Sequence, residues 1–334
     1  MANTRDLQRR LKSINSTRKI TKAMQLVAAA KMKKAVANAL ATRTYANLSW
    51  MTLLNLSQDK NLEHPFLGWP SSRKLTGKIA MVVFSGNKGL CGGFNSNVIN
   101  KALNSVKKHS DQEVDYYLFG SRGQILATRY GQKIAASFPK DERGQQLPQV
   151  VTMARTIMDE YLTGRYDKIF VAFTDFISTI KQTPRVRQLL PIDISANRDF
   201  LGLVEAPGLS SSKDFLTEKA DSHLYSEATT GKALEELLPD SMKIKSYHYQ
   251  YNYEPSRQVV LEAMLPRLIE VQLYQANLES NASEQSARMI AMKNATEAAD
   301  ELIDALRLTY NKVRQAGITA EIAEICAGAN ALAN

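Results

Sequence analysis

Residues 289–313 read MIAMKNATEAADELIDALRLTYNKV, and this stretch decides the fold of the chain. Its apolar and small residues recur alternately three and four positions apart, at Met289, Met292, Thr296, Ala299, Ile303, Leu306, Tyr310 and Val313. This heptad spacing is typical of a helix that packs lengthwise against a second helix. The stretch therefore predicts one helix of a coiled coil and requires a partner helix elsewhere.

The N-terminal end of the chain can supply that partner. Residues 1–64 contain neither glycine nor proline, and residues with high helix propensity dominate there. We expect one helix over about residues 3–56, which at ~1.5 Å per residue is ~80 Å long. Its packing seam is predicted at Ile14, Thr17, Thr21, Met24, Ala28, Lys31 and Ala35.

Two long helices at opposite ends of one chain favour an antiparallel two-helix coiled coil formed by the N- and C-termini. The alternative is two separate helices that pack on a globular core. That arrangement is disfavoured because helices of this length exceed what a domain of about 200 residues can cover.

The middle of the chain has a different pattern, in which short apolar runs alternate with helical segments. Strands are predicted at 79–84, 114–119 and 169–173, helices at 95–108, 121–130 and 150–162, and 188–192 can extend the sheet. Such alternation indicates a Rossmann-like α/β domain with a mostly parallel sheet. The expected division is a helix over 1–60, the α/β domain over 75–195, an acidic, partly ordered insertion over 196–245, a return strand within 246–256 and the second helix over 257–334.

The charge of the chain is concentrated at one end. The formal net charge is +10, and residues 1–58 hold eleven Lys and Arg against one acid, Asp6. A basic helix of this kind can bind nucleic acid, an anionic membrane or an acidic protein partner. Aromatic residues that could stack on bases are missing before Tyr45, which disfavours single-stranded nucleic acid. No apolar run approaches the roughly 20 residues that span a bilayer.

The segment that most resembles an enzyme site is residues 85–95, SGNKGLCGGFN, which follows the first predicted strand. Phosphate-binding loops occupy this position, but neither the dinucleotide nor the P-loop spacing is present. Glycines that permit a tight crossover are the favoured explanation. Cys91 has no recognisable histidine partner, and no metal-ligand spacing occurs. We therefore expect no catalytic residue, no cofactor and no metal, which leaves a mechanical or interaction protein.

Four separated segments resemble one family. They are LKSINSTRKITKAMQLVAAAKM at 11–32, GLCGG at 89–93, EQSARMIAMKNAT at 284–296 and LTYNKVRQA at 308–316. In this order they resemble the gamma subunit of F-type ATP synthases. The resemblance covers nearly the whole chain except about residues 195–245.

The resemblance implies a rotor: the central stalk of a proton-translocating ATP synthase, without a catalytic group of its own. It implies three alpha and three beta subunits around the shaft, an epsilon subunit, and a c-subunit ring through which alone the chain contacts the membrane. It implies no nucleic acid partner. With no presequence apparent, a peripheral position on the cytoplasmic side of the cell inner membrane is expected. Residues carried over by matching motif as contacts to the alpha and beta ring are Lys22, Met24, Arg314, Gln315, Thr319 and Glu321.

The sequence departs from the family pattern in two regions, and two alternative functions remain to be tested. Gly317 and Ala320 depart from the usual C-terminal pattern, and the insertion lacks the redox cysteine pair of plastid relatives. The insertion is hypothesised to be an acidic flap that acts as a brake on the rotor. The alternative is a solvated segment without such a role. The rivals are a nucleic-acid-binding protein with a basic helical hairpin arm and a nucleotide-dependent enzyme that uses the 85–95 loop.

Overall fold

The computed structural model describes residues 4–56, 64–68, 76–106, 113–141, 147–192 and 253–333. Five helices and five strands lie in these ranges. The helices are α1 (Thr4–Leu56), α2 (Phe94–Val106), α3 (Ser121–Arg129), α4 (Leu147–Leu162) and α5 (Arg257–Ala333). The strands are β1 (Lys78–Phe84), β2 (Glu113–Phe119), β3 (Ile134–Phe138), β4 (Lys168–Phe176) and β5 (Gln182–Leu190).

The two long helices, α1 and α5, pack side by side and antiparallel. Arg18 pairs with Asp300 at 2.7 Å, the Thr21 and Thr296 hydroxyls lie 2.8 Å apart, and Thr42 donates to Gln275 at 2.6 Å. Residue numbers therefore rise along α1 as they fall along α5. The predicted coiled coil of the two chain ends is confirmed, and we call it the shaft.

The predicted seam of α5 is confirmed. Along the shaft, α5 buries its heptad residues Met292, Thr296, Ala299 and Ile303. The next three, Leu306, Tyr310 and Val313, are half-buried. Their neighbours in the sequence are mostly exposed, so one narrow stripe of α5 faces α1, as a coiled-coil seam requires.

The predicted seam of α1 is wrong at Thr17 and Lys31, and at Met24 the regular spacing passes to Gln25, although both of these side chains are half-buried. Thr17 and Lys31 are exposed, and the following residues, Arg18 and Met32, face α5 instead. A search for apolar spacing misses Arg18 because the residue is charged. It can lie at the edge of the seam because its guanidinium donates to the Asp300 carboxylate. The inward residues alternate by four and three: Leu7, Leu11, Ile14, Arg18, Thr21, Gln25, Ala28, Met32, Ala35, Ala39, Thr42, Ala46, Ser49 and Leu53.

The α/β domain is a five-stranded sheet in the order β3-β2-β1-β4-β5. The first four strands are parallel, and β5 runs antiparallel to β4. Side chains of β1 alternate between two cores. Ala80, Val82 and Phe84 join the core with α4 and α5, whereas Met81 and Val83 join the core with α2 and α3. The predicted Rossmann-like architecture is confirmed.

Both edge strands differ from the prediction. The strand β3 was not predicted, since its five residues are at most half-buried and give no apolar run. The prediction at 188–192 found only the end of β5, which contains charged residues and Pro184, a composition that edge strands accept. The predicted insertion, 196–245, and most of the predicted return strand, 246–256, lie outside the described residues, and Tyr253–Ser256 are not in a strand.

The shaft and the domain meet along the first part of α5. Between Leu268 and Ser286, α5 is covered by α1 on one side and by the domain on the other, so that even its polar residues are largely buried. Beyond this level the shaft leaves the domain. None of the described helices has an apolar stretch long enough to cross a membrane.

Candidate functional site

The end of α5 extends beyond the end of α1. Counting from the Thr21 and Thr296 pair, the first residue of α1, Thr4, lies beside Val313. Residues 314–328 are all exposed. With respect to the described residues, about 20 residues of α5 therefore continue unaccompanied for ~30 Å, and we call residues 314–333 the tip.

The tip carries an apolar stripe along one face. Ile318, Ile322 and Ile325 are 48%, 56% and 70% exposed, and their spacing of four and three places them on the same side of the helix. Gly317 and Gly328 lower helix propensity, and an unsupported helix of this length is only marginally stable in water. In the described part of the chain nothing packs on this stripe, so the tip has the properties of a surface that a partner covers.

The six predicted contact residues fall into two groups. Arg314, Gln315, Thr319 and Glu321 are exposed on the tip, where the Thr319 hydroxyl donates to the Gln315 carbonyl at 3.0 Å. Lys22 is exposed and Met24 is half-buried on α1. By the shaft register, Lys22 lies beside residue 295 of α5, about 30 Å below Arg314. The structure thus places these residues at two levels of one shaft rather than in one cluster.

A basic groove of about 600 Å³ lies just below the tip, between α1 and α5. Four cations and no acid are among its lining residues. Two of the cations have exposed carboxylate neighbours, since Arg9 pairs with Asp6 at 3.1 Å and Arg307 with Asp304 at 3.6 Å. The groove is lined by Arg5, Gln8, Arg9, Leu11, Lys12, Asn15, Ile303 and Arg307.

The glycine-rich loop 85–95 lies at the carboxyl edge of the sheet, where nucleotide-binding folds hold their ligand. Here the shaft fills that place. A Cβ atom on Gly86 would lie 2.8 Å from Oε1 of Glu284, a residue of α5. The Gly86 amide instead donates to Asn95 at 2.8 Å. The Glu284 carboxylate thus fills the space beside Gly86, and the Gly86 amide already has an acceptor within the chain, which argues against a nucleotide-dependent enzyme at this loop.

Two charged residues hold the Glu284 carboxylate. Lys140 lies 2.5 Å from its Oε2, and Arg288 lies 2.8 Å from its Oε1. The sequence prediction gave neither Lys140 nor Glu284 a role. They are separated by 144 positions in the chain, and no local pattern indicates their proximity.

Comparison with known proteins places matches along nearly the full length of the chain. A family model described as ATP synthase matches residues 3–332. A protein of Herpetosiphon aurantiacus named ATP synthase gamma chain is 37% identical over 342 residues, covering 99% of each chain. The Bordetella avium protein of the same name is 37% identical over 336 residues, covering 99% of this chain and all of the relative. The chain belongs to the ATP synthase gamma chain family.

Solved structures share the fold of this family member. The rotor of the Euglena gracilis mitochondrial ATP synthase matches with a TM-score of 0.56 at 15% identity, covering 94% of this chain and 98% of that one. The central stalk and c-ring of the Tetrahymena thermophila enzyme matches with a TM-score of 0.52 at 20% identity, covering 83% and 99%. The family resemblance read from the four sequence segments is confirmed.

In this member of the family, Cys91 of the glycine-rich loop is poorly suited to act as a nucleophile. Its thiol is buried and accepts a hydrogen bond from Asn95 at 3.2 Å. Burial and the nearby Glu284 carboxylate raise the pKa of the Cys91 thiol, which disfavours the reactive thiolate. Among the described residues no group of three or more His, Cys, Asp and Glu side chains could hold a metal ion.

The ionisation of Glu284 makes folding dependent on pH. Burial alone would raise the pKa of Glu284, but the charges and hydrogen bonds of Lys140 and Arg288 outweigh burial and hold this pKa below the ordinary value of 4.5. Because the folded-state pKa is lowered, ionised Glu284 stabilises the fold above pH 4.5. This stabilisation is lost as the pH falls through the lowered value.

We expect Glu284→Gln to reduce the free energy of unfolding by about 3 kcal/mol at pH 7, because Lys140 is left buried without its main counter-charge. The difference from the wild type should narrow as the pH falls from 4.5 toward the lowered pKa, because the unfolded wild-type chain binds a proton at Glu284 in this range while the folded protein does not. Urea unfolding over a pH series measures both effects. If the free energies of unfolding of the two proteins changed in parallel with pH, this would contradict the lowered pKa of Glu284.

Proposed function

We propose that the chain is the central-stalk rotor subunit of a proton-translocating F-type ATP synthase. It transmits rotation of the c ring to the catalytic beta subunits and holds no catalytic group itself. The observation that carries this proposal is the antiparallel shaft that ends in an unaccompanied helix with an exposed apolar stripe. A globular domain at one end and a projecting tip at the other suit an axle whose tip turns within a surrounding ring.

The proposed mechanism is differential contact. A rotating surface can favour one conformation of a neighbouring subunit only if it offers different contacts at different angles. Near its end the shaft is asymmetric, because the groove of Arg5, Arg9, Lys12 and Arg307 lies on one side and the isoleucine stripe continues only on α5. Each catalytic subunit then meets cationic, apolar and polar surfaces in turn, and the chemistry of ATP synthesis takes place on the partners.

The proposed partners are three alpha and three beta subunits around the shaft, the epsilon subunit and the c-subunit ring. Arg314, Gln315, Thr319 and Glu321 are proposed to meet the alpha and beta ring at the tip. Lys22 and Met24 are proposed to meet it about 30 Å lower. The chain is proposed to be peripheral on the cytoplasmic side of the cell inner membrane, with membrane contact only through the c ring.

The nucleic-acid rival makes a different prediction. A basic arm that tracks phosphates would bind nucleic acid with an affinity that falls steeply with salt concentration. A rotor would instead copurify with stoichiometric alpha, beta and c subunits. Membership of the gamma chain family over the full length favours the rotor.

The tip offers a sharp test of the proposal. We expect replacement of Ile318, Ile322 and Ile325 together by serine to weaken assembly of the full chain with alpha and beta subunits. Each isoleucine loses about 1–2 kcal/mol of burial in the ring, so Kd should rise ~100-fold or more. The chain's own unfolding midpoint should stay unchanged, since these side chains are exposed in the free chain.

The matched control replaces Ala320, Ala323 and Ala327 by serine. These residues are exposed on the opposite face of the tip, and alanine-to-serine changes lower helix propensity at least as much as isoleucine-to-serine changes. Titration of alpha and beta subunits with each variant, followed by the ATPase activity that appears on assembly, gives the Kd of each variant and so compares the two faces of the tip. If both triple variants bound the alpha and beta subunits with equal affinity, the isoleucine stripe would not be the contact surface.

A further inference from the structure

Two chemically different interfaces join α5 to the α/β domain. The first is apolar: Leu261, Leu265, Ile269 and Leu273 of α5 belong to the same buried core as the sheet and α4. The second lies further along α5, between Ser280 and Arg288, and is polar. Apolar contacts are non-directional, so the first interface provides adhesion without a strongly defined angle.

Serines of the polar interface bind the carboxyl edge of the sheet. Ser280 donates to the Phe84 carbonyl at 3.4 Å, and Ser283 donates to the Thr174 carbonyl at 3.1 Å. Ser286 donates to the Thr179 carbonyl at 2.6 Å. One face of α5 is thus bonded to the ends of β1 and β4 and to the turn that follows β4.

At the same level lies the Glu284 cluster, which consists of Lys140, Glu284 and Arg288. Lys140 follows β3, and its carbonyl accepts a hydrogen bond from Asn87 at 2.6 Å. Arg288 also reaches the Gly89 carbonyl at 3.5 Å. The cluster therefore connects α5 to two separate crossover connections of the sheet, the 85–95 loop and the segment after β3.

Such a cluster is a poor device for stability alone. Lys140 and Glu284 are almost fully buried, and the Arg288 side chain is largely so. Replacing buried ion pairs by well-packed apolar residues is often neutral or stabilising, because burial of the charges is costly. Charge-assisted hydrogen bonds do, however, require a defined geometry. Turning α5 about its axis would carry the Glu284 carboxylate away from Lys140 and from the space above Gly86.

We propose that the Glu284 cluster fixes the α/β domain at one angle about the shaft. Lys140, Glu284 and Arg288 act as positioning residues, and the apolar interface supplies the adhesion. Under the proposed rotor function, on which this consequence rests, torque that enters at the domain passes to the shaft without slippage. The fixed angle itself is a property of the chain alone and can be measured without partners.

The angle can be measured by pulsed electron paramagnetic resonance on the full-length chain. Spin labels are attached to Lys101→Cys on α2 and Lys293→Cys on the shaft, two exposed positions, in a Cys326→Ser background. Cys91 is buried and stays unlabelled. The distance distribution between the labels should be narrow in this parent protein. It should broaden when Glu284→Gln or Lys140→Met is added.

A control within the domain breaks an ion pair whose acidic partner is buried. Asp175 and Arg185 join β4 to β5 at 2.9 Å, and the Asp175 side chain is buried. Asp175→Asn should leave the distribution as narrow as in the parent. If Glu284→Gln does not fold, Lys140→Met decides, because it keeps the pair of Glu284 with Arg288. An unchanged width in the variants of the cluster, or equal broadening in Asp175→Asn, would overturn the proposal.

A second measurement tests the consequence for torque. In the assembled complex, Glu284→Gln should lower the number of protons pumped per ATP hydrolysed, whereas Asp175→Asn should not. Broadened distances with unchanged pumping per ATP would overturn the role in torque transmission. Failure of the parent chain to assemble with alpha and beta subunits would instead refute the proposed function. The spin-label distances, measured on the chain alone, would still test whether the domain is held at a fixed angle.

Discussion

Replacement of Ile303 by aspartate should separate the upper part of the shaft, whereas the same change at the neighbouring Leu302 should leave the shaft intact. Ile303 is 5% exposed at the seam, and Leu302 is 54% exposed on the outer side of α5. The seam variant loses the burial of an isoleucine and forces a carboxylate out of water. The two effects together cost about 4 kcal/mol or more.

Within the part of the chain that the structure describes, the upper shaft has no other support against this loss. The α/β domain contacts α5 below residue 289, so residues 4–28 of α1 and 289–313 of α5 depend on each other alone among the described residues. We expect amide hydrogen exchange in both segments to become fast in Ile303→Asp, while the core strands of the domain keep their protection. In the assembled enzyme, coupling of rotation to ATP synthesis should be lost.

Leu302→Asp controls for the added charge and for the change in helix propensity, because both variants introduce aspartate at adjacent positions of one helix. Thermal unfolding followed by circular dichroism should give a lower helical midpoint only for the Ile303 variant. Similar losses in both variants would mean that α1 does not pack on this face of α5, and torque transmission through a paired shaft would then be untenable.

The two helices of the shaft differed in how well the sequence predicted them. The seam of α5 was found because Met292 and Ile303 are large apolar residues at heptad spacing. Half of the residues in the seam of α1 are alanine, threonine or serine, which are equally common on exposed helix faces. Arg18 could be told apart from Thr17 only by knowing where Asp300 lies, whereas Met32 is apolar and could have been preferred to Lys31 on hydrophobicity alone.

The inner strands of the sheet were predicted because they are buried on both faces and form apolar runs, as β1 does. The edge strands β3 and β5 lack such runs, since one side of each has no neighbouring strand in the described sheet. Local composition cannot distinguish a half-buried edge strand from an irregular connection. Pairing with β2 and β4 determines these strands, and pairing is a property of the assembled sheet.

The candidate site was predicted in part. The two contact groups came from motifs, but the length of the tip depends on the register of the shaft, which no single segment encodes. The Glu284 cluster was missed because Lys140 begins a run of charged residues, 140–143, which does not indicate burial, and because it meets Glu284 only after the whole sheet has formed. The glycines of the loop 85–95 were interpreted as residues that permit a tight crossover with positive φ. Gly92 has a φ of +56°, and the close approach of Glu284 to Gly86 is a second reason for glycine in this loop.

A methyl group added at Gly120 should be among the most damaging small changes in the α/β domain. Gly120 ends β2 with a φ of +100°, a conformation that residues with a side chain rarely adopt. A Cβ atom there would lie 2.5 Å from the Ser85 carbonyl oxygen. The backbone must move, because the Ser85 hydroxyl is held between the Phe119 carbonyl at 3.0 Å and the Gly123 amide at 2.9 Å.

We expect Gly120→Ala to lower the free energy of unfolding of the domain by about 3 kcal/mol or more, from strain at positive φ together with the steric clash. Gly131→Ala is the matched control, since Gly131 also has a positive φ, +65°, but has no atom within 4 Å of the added Cβ. It should cost only the strain, about 1 kcal/mol. Urea unfolding measures both values, and equal losses would mean that the close approach to Ser85 contributes nothing. Gly120 lies between the two segments that hold the Glu284 cluster, because its amide donates to the Phe138 carbonyl at the end of β3 and its added Cβ would meet Ser85 at the start of the 85–95 loop. Gly120→Ala should therefore also broaden the distances between domain and shaft, while the shaft around Thr21 and Thr296 keeps its protection from hydrogen exchange.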